Sequence, residues 1–132
     1  MLEKIKEACA YLEKQSKVKP RVGIILGSGL GNFIHTIYNK IIIPYSSIPN
    51  FPVSSVQGHK GNLIFGFIKD VPIVALQGRM HVYEGHDVKD TVFPVMVMKQ
   101  LGIELLVLSN ASGGLNPEFK VGDIMVIEDH II

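Results

Sequence analysis

The side chains best equipped for chemistry lie in one short run, Arg79-Met80-His81-Val82-Tyr83-Glu84-Gly85-His86, where a guanidinium, an imidazole and a phenol follow one another closely. Arg79 offers a planar fork matched to phosphate oxygens, and in an extended segment His81, two residues on, points the same way. The plain alternative is a solvated turn with Tyr83 lying on the surface. A metal site built from His81, Glu84 and His86 is not expected, because their spacing is neither H-E-x-x-H nor H-x-x-E-H. A second candidate is Gly27-Ser28-Gly29-Leu30-Gly31. Glycines let backbone N–H groups approach an anion closely, so this stretch reads as a phosphate cradle or simply as a tight turn after a strand. It is not a dinucleotide fingerprint, which needs glycine where Asn32 stands, nor a Walker loop, which ends in Gly-Lys-Ser/Thr. Ser28 is not an esterase-type nucleophile either, since that elbow requires glycine at the place of Leu26. His59, between Gly58 and Gly61, is a loop residue or a ligand. Asn110-Ala111-Ser112-Gly113-Gly114 offers small side chains and open backbone against which a flat ligand could lie.

The elements between these runs set how they are held. Leu2, Ile5, Cys9 and Leu12 recur at helical spacing and predict a helix from Met1 to near Ser16, stopped before Pro20. Val22 to Leu26 reads as a buried strand feeding the glycine turn, with a short helix from Leu30 to about Ile37. Ile41 to Ile43 predicts a brief strand, and Pro44, Pro49 and Pro52 then stiffen an extended loop. Asn62 to Ile68 and Val71 to Leu76 form a hairpin turning at Lys69-Asp70. A helix capped by Asp87 or Asp90 reaches Leu101 and stops at Gly102, with Pro94 kinking or delaying it. Leu105 to Leu108 and Ile124 to Ile127 predict two further strands, the first fully buried. Arg79, Ser28 and Ala111 thus each follow a strand, where ligand sites of α/β sheets gather. The apolar ending His130-Ile131-Ile132 reads as a sheet edge that a further segment or another chain would cover.

Composition limits the partners. Of 132 residues, 47% are apolar and 19% charged, which predicts one globular domain without an internal boundary. A net charge of +1, spread without a basic stripe, gives no support to nucleic-acid binding and favours a small anion. The apolar run Val92 to Met98 is broken by Pro94 and falls well short of the roughly 20 residues a membrane span needs. The lone Cys9 cannot close an internal disulfide, and with no signal-type stretch at the start the cytoplasm is the expected compartment. Cys9 itself reads as a small buried residue rather than a reactive thiol.

Five segments in order carry a family resemblance: Gly27-Ser28-Gly29-Leu30-Gly31, Ile48-Pro49-Asn50-Phe51-Pro52, Gly58-His59-x-Gly61, Gln77-Gly78-Arg79-x-His81-x-Tyr83-Glu84-Gly85 and Asn110-Ala111-Ser112-Gly113-Gly114-Leu115-Asn116. From Leu2 onward the chain resembles the trimeric purine nucleoside phosphorylases. The resemblance implies an α/β fold, a mixed, partly closed β-sheet flanked by helices, of which residues 1–132 form the amino-terminal portion. It implies reversible phosphorolysis of purine nucleosides such as inosine and guanosine to free base and pentose 1-phosphate, with inorganic phosphate as co-substrate and no cofactor or metal. Carried over by position, Ser28, His59, Arg79, His81 and Ala111 hold phosphate, Arg79 and His81 being catalytic; Tyr83 meets the ribose, and Ala111, Ser112 and Gly113 line the purine. Ser112 stands where many relatives have alanine. The family's leaving-group residues are expected beyond Ile132. The related methylthioadenosine phosphorylases, or a non-catalytic binding module of the same fold, are the alternatives.

Overall fold

The computed structural model describes residues 1–27, 29–53 and 61–131. Helix α1 spans Leu2–Gln15 and is followed by strand β1, Val22–Leu26, and a 3-10 turn over Gly31–Thr36. Strand β2 covers Tyr38–Pro44, longer than its apolar centre predicts because exposed Tyr38, Asn39 and Lys40 extend it at the sheet margin. Strands β3 (Asn62–Ile68) and β4 (Val71–Gln77) form the expected hairpin, with Lys69 accepting the left-handed backbone, φ 53, that its tight turn demands. Helix α2 runs over Val88–Gln100 and strand β5 over Leu105–Leu108.

Both candidate caps of α2 are used. The Asp87 carboxylate accepts from the Lys89 N–H at 3.2 Å, and the Asp90 carboxylate accepts from the Asp87 N–H at 3.3 Å. Pro94 neither delays nor ends the helix. The bond it lacks is the one to the Asp90 carbonyl, and the burial of Phe93, Pro94, Val97 and Met98 holds the helix through it. Gly102, at φ 105, makes the left-handed stop.

The five strands lie in the order β2-β3-β4-β1-β5, an open mixed sheet in which β1 pairs parallel with β4 and β5 while β3 is antiparallel to β2 and β4. Ile25, Val74, Leu76, Leu63 and Phe65 face α1 and α2, meeting Ile5, Cys9, Leu12, Phe93, Val97 and Met98. Ile24, Leu26, Ile64, Ile73 and Ala75 face the other way and pack with Ile37, Phe33 and Ile34 around the 3-10 turn. Burial on both faces explains why β1, β3 and β4 read as unbroken apolar runs rather than as alternating ones.

Three expectations differ from the structure. Leu2 is exposed, so the buried stripe of α1 is Ile5, Ala8, Cys9 and Leu12. Strand β5 is not buried: it is the last strand of the sheet, and only Leu106 packs on the core while Leu105, Val107 and Leu108 face out. Ile124 to Ile127 is not a strand: its residues are exposed and pair with none of the five strands, the sheet ending at β5. Residues from Asn110 to Ile131 are exposed and irregular, turned locally where the Lys120 N–H donates to the Asp123 carboxylate at 2.9 Å.

Candidate functional site

Because β4, β1 and β5 are mutually parallel, their carboxyl ends share one margin of the sheet, and the loops leaving them lie side by side. These loops begin at Gly27, Gly78 and Ser109. The antiparallel β3 brings its amino end, Asn62, to the same margin, paired with Gln77; the Asn62 side chain donates to the Gln77 Oε1 at 3.0 Å. The margin is where open α/β sheets bind ligands. The sequence order alone scatters these segments; the sheet order collects them.

Arg79 is anchored there. Its Nη2 donates to the Ser109 carbonyl at 2.7 Å. The Ser109 hydroxyl accepts the Gly27 N–H at 2.9 Å and donates to the Ile25 carbonyl at 3.2 Å. Gly27 must be glycine, since a Cβ there would lie 2.5 Å from the Ser109 oxygen and 2.8 Å from Arg79 Nη2. The guanidinium has further N–H groups beyond this contact. Behind it, the hydroxyl of buried Tyr45 donates to the Gly78 carbonyl at 2.5 Å, fixing the residue before Arg79, and the Tyr45 N–H donates to the Gly61 carbonyl at 3.0 Å. Burial raises the Tyr45 phenol above its ordinary pKa, so it stays protonated and able to donate.

His81 opens a short 3-10 turn, Val82–Glu84. Its ring stacks on Tyr83 with centroids 4.7 Å apart and planes 20° from parallel. The Glu84 carboxylate, only 7% exposed, accepts the His81 N–H at 3.0 Å and stands 3.7 Å from His81 Nδ1. Nδ1 of His81 and Nε2 of His86 are enclosed and make no hydrogen bond. Tyr83 is 82% exposed, its stacked face apart. Among the described residues no group of three His, Cys, Asp or Glu side chains could hold a metal ion.

Of the residues singled out from the sequence, Arg79 sits directly against the start of the glycine loop, and His81 and Tyr83 sit together in the loop that follows it. Ser28 and His59 lie outside the described residues. Ala111 follows Ser109 at the same margin, its carbonyl accepting from the Asn110 side chain at 3.4 Å. Ser112 and Gly113 instead border a concavity made with Phe119, Ile124 and Val126 of their own segment. Ser109 and Tyr45 escaped the sequence reading. The only trace of Ser109 was a hydroxyl directly after an apolar strand.

An open parallel-centred sheet that carries an arginine fork and a glycine turn at its carboxyl margin defines an α/β protein with a polar strand-end site. More particularly, residues 21–132 match the family model of the phosphorylase superfamily, and the chain belongs to that family. Purine nucleoside phosphorylase 1 of Bacillus subtilis (strain 168) is 47% identical over 131 residues, covering 99% of this chain and 48% of its own length. A purine nucleoside phosphorylase solved with ribose-1-phosphate superposes with a TM-score of 0.86 at 46% identity, covering 92% of this chain and 45% of that one. The Schistosoma mansoni enzyme solved with inosine gives a TM-score of 0.85 at 45% identity, covering 92% of this chain and 42% of its own. The chain thus spans about half the length of the relatives it matches.

Proposed function

We propose that this chain carries the phosphate side, and part of the ribose and purine side, of a purine nucleoside phosphorylase, which splits nucleosides such as inosine and guanosine into free base and pentose 1-phosphate. The observation that carries this reading is Arg79, held by Ser109 beside Gly27 at the margin where three parallel strands end. Two relatives solved with ribose-1-phosphate and with inosine support the substrate class. Phosphate is itself the nucleophile, so no covalent residue is required. The work of the site is to hold the anion under the anomeric carbon, where its charge faces a sugar that becomes oxocarbenium-like as the glycosidic bond loosens. Arg79 supplies fixed positive charge, with Ser28, His59, His81 and the Ala111 N–H as further donors. Tyr83 borders the ribose, and Ala111, Ser112 and Gly113 the purine. Phosphate is a co-substrate, and no cofactor is involved. The enzyme works as a trimer in the cytoplasm.

Calorimetric titration of the chain with inorganic phosphate tests the reading. Arg79→Ala is expected to weaken phosphate binding at least about tenfold, in keeping with the loss of a charge-assisted bidentate contact. Unchanged affinity in that variant, or no uptake of phosphate by the unaltered chain, refutes the site.

A further inference from the structure

We propose that Ser109 is the positioning residue of the phosphate site, locking Arg79 and Gly27 into one fixed geometry; the inference rests on the phosphate reading above. The last paired residues of β1 and β5 are Ile25 and Leu108, and beyond them the two chains must part toward their separate loops. Ser109 bridges that parting. Its N–H and its hydroxyl both donate to the Ile25 carbonyl, at 3.3 and 3.2 Å, and the same hydroxyl accepts the Gly27 N–H at 2.9 Å. The hydroxyl thus acts as both donor and acceptor, as a serine can and an alanine or valine cannot.

The carbonyl of the same residue receives Arg79 Nη2 at 2.7 Å. One residue therefore sets the first residue of the glycine loop with its side chain and the guanidinium with its backbone. Any drift of Ser109 moves Arg79 relative to Gly27, and the space between them is already filled to contact. Two consequences follow for the anion. The Gly27 N–H is taken by Ser109, so it is not among the donors a phosphate meets. The guanidinium presents to solvent only the edge that Ser109 leaves free, so its orientation is set before the anion arrives, which is how positioned donors gain affinity.

The test is phosphate titration of Ser109→Ala and Ser109→Thr, alone and in an Arg79→Lys background. Ser109→Ala, which removes both part-buried hydrogen bonds of the hydroxyl, is expected to weaken phosphate binding about fivefold to tenfold. Ser109→Thr, which keeps the hydroxyl, should bind within about twofold of the unaltered chain. In the Arg79→Lys background, where the fork is gone, Ser109→Ala should change affinity by less than about twofold, since residues acting through each other are not additive. If Ser109→Ala fails to fold by circular dichroism, Ser109→Cys, close in size and a poor hydrogen-bonding group, takes its place. Wild-type affinity in Ser109→Ala (or in the Cys stand-in), failure of Thr to rescue, or additive losses each overturn the proposal while leaving the phosphate site intact. If Arg79→Ala has no effect or the unaltered chain takes up no phosphate, the site reading itself falls, and this inference with it.

Discussion

Gly27 and Arg79 occupy a space with no room for another methyl group. A Cβ at position 27 would press on a peptide oxygen 2.5 Å away and on the arginine Nη2 2.8 Å away, and the oxygen belongs to backbone already hydrogen-bonded on both sides. Gly27→Ala should therefore act as overpacking does, lowering stability by about 1–3 kcal/mol in chemical denaturation, and should weaken phosphate binding as well. An alanine variant as stable and as avid as the parent would show that this close approach does not exist. At this scale the sequence was only half legible. Arg79 stood out because a guanidinium, an imidazole and a phenol share one short loop directly after a buried strand. Ser109 did not, because its partners lie 82 and 84 positions away and no local spacing encodes a contact that exists only once β1 and β5 pair.

Helices α1 and α2 meet through Cys9, whose thiol lies 3.6 Å from the Val97 carbonyl in the shared core. Burial, with the nearby Glu13 charge adding to it, pushes that thiol up to about 11. The folded state then keeps its proton at pH values where the unfolded chain has lost it, so stability is full below about pH 9 and falls as pH rises toward 11. Urea denaturation between pH 8 and pH 10, below the range where buried Tyr45 adds a decline of its own, should show this decline, and Cys9→Ser should flatten it; an equal decline in the variant would assign the effect elsewhere. Elements with matched local signals were readable: α1, β1, the β3–β4 hairpin and α2 all lie where periodicity and caps put them. The outer face of β5 was not, because an apolar run reports that a strand is buried somewhere, not which neighbours cover it. Ile124 to Ile127 failed for the related reason that strand-like composition does not decide whether a segment pairs, and here it pairs with none of the five strands.

The whole molecule has one well-covered sheet and one open side. Leu105, Val107 and Leu108 of β5 and Leu115, Ile124 and Val126 of the segment after it face solvent, a larger apolar display than single chains commonly tolerate. Displayed by a chain that spans about half the length of its relatives, the unpaired edge and these side chains call for a covering segment or another chain, and in the chain as given they should drive self-association. Sedimentation velocity across a concentration series is expected to show species beyond the monomer, and Val107→Lys, which puts a charge on the edge, should shift them back. A monomer at all concentrations would contradict this. No helix among the described residues is long and apolar enough to cross a membrane.

The sheet margin that gathers the loops also dictates a schedule. The β3–β4 hairpin closes over two residues, whereas Gly27 reaches Ser109 across 82 positions and Arg79 reaches it across 30. Long closures sacrifice more chain entropy before any contact rewards them. The contacts among Gly27, Arg79 and Ser109 are thus expected to be completed after the hairpin has formed. A phosphate held there would recognise only the finished arrangement, so it would slow unfolding and leave the rate of folding untouched.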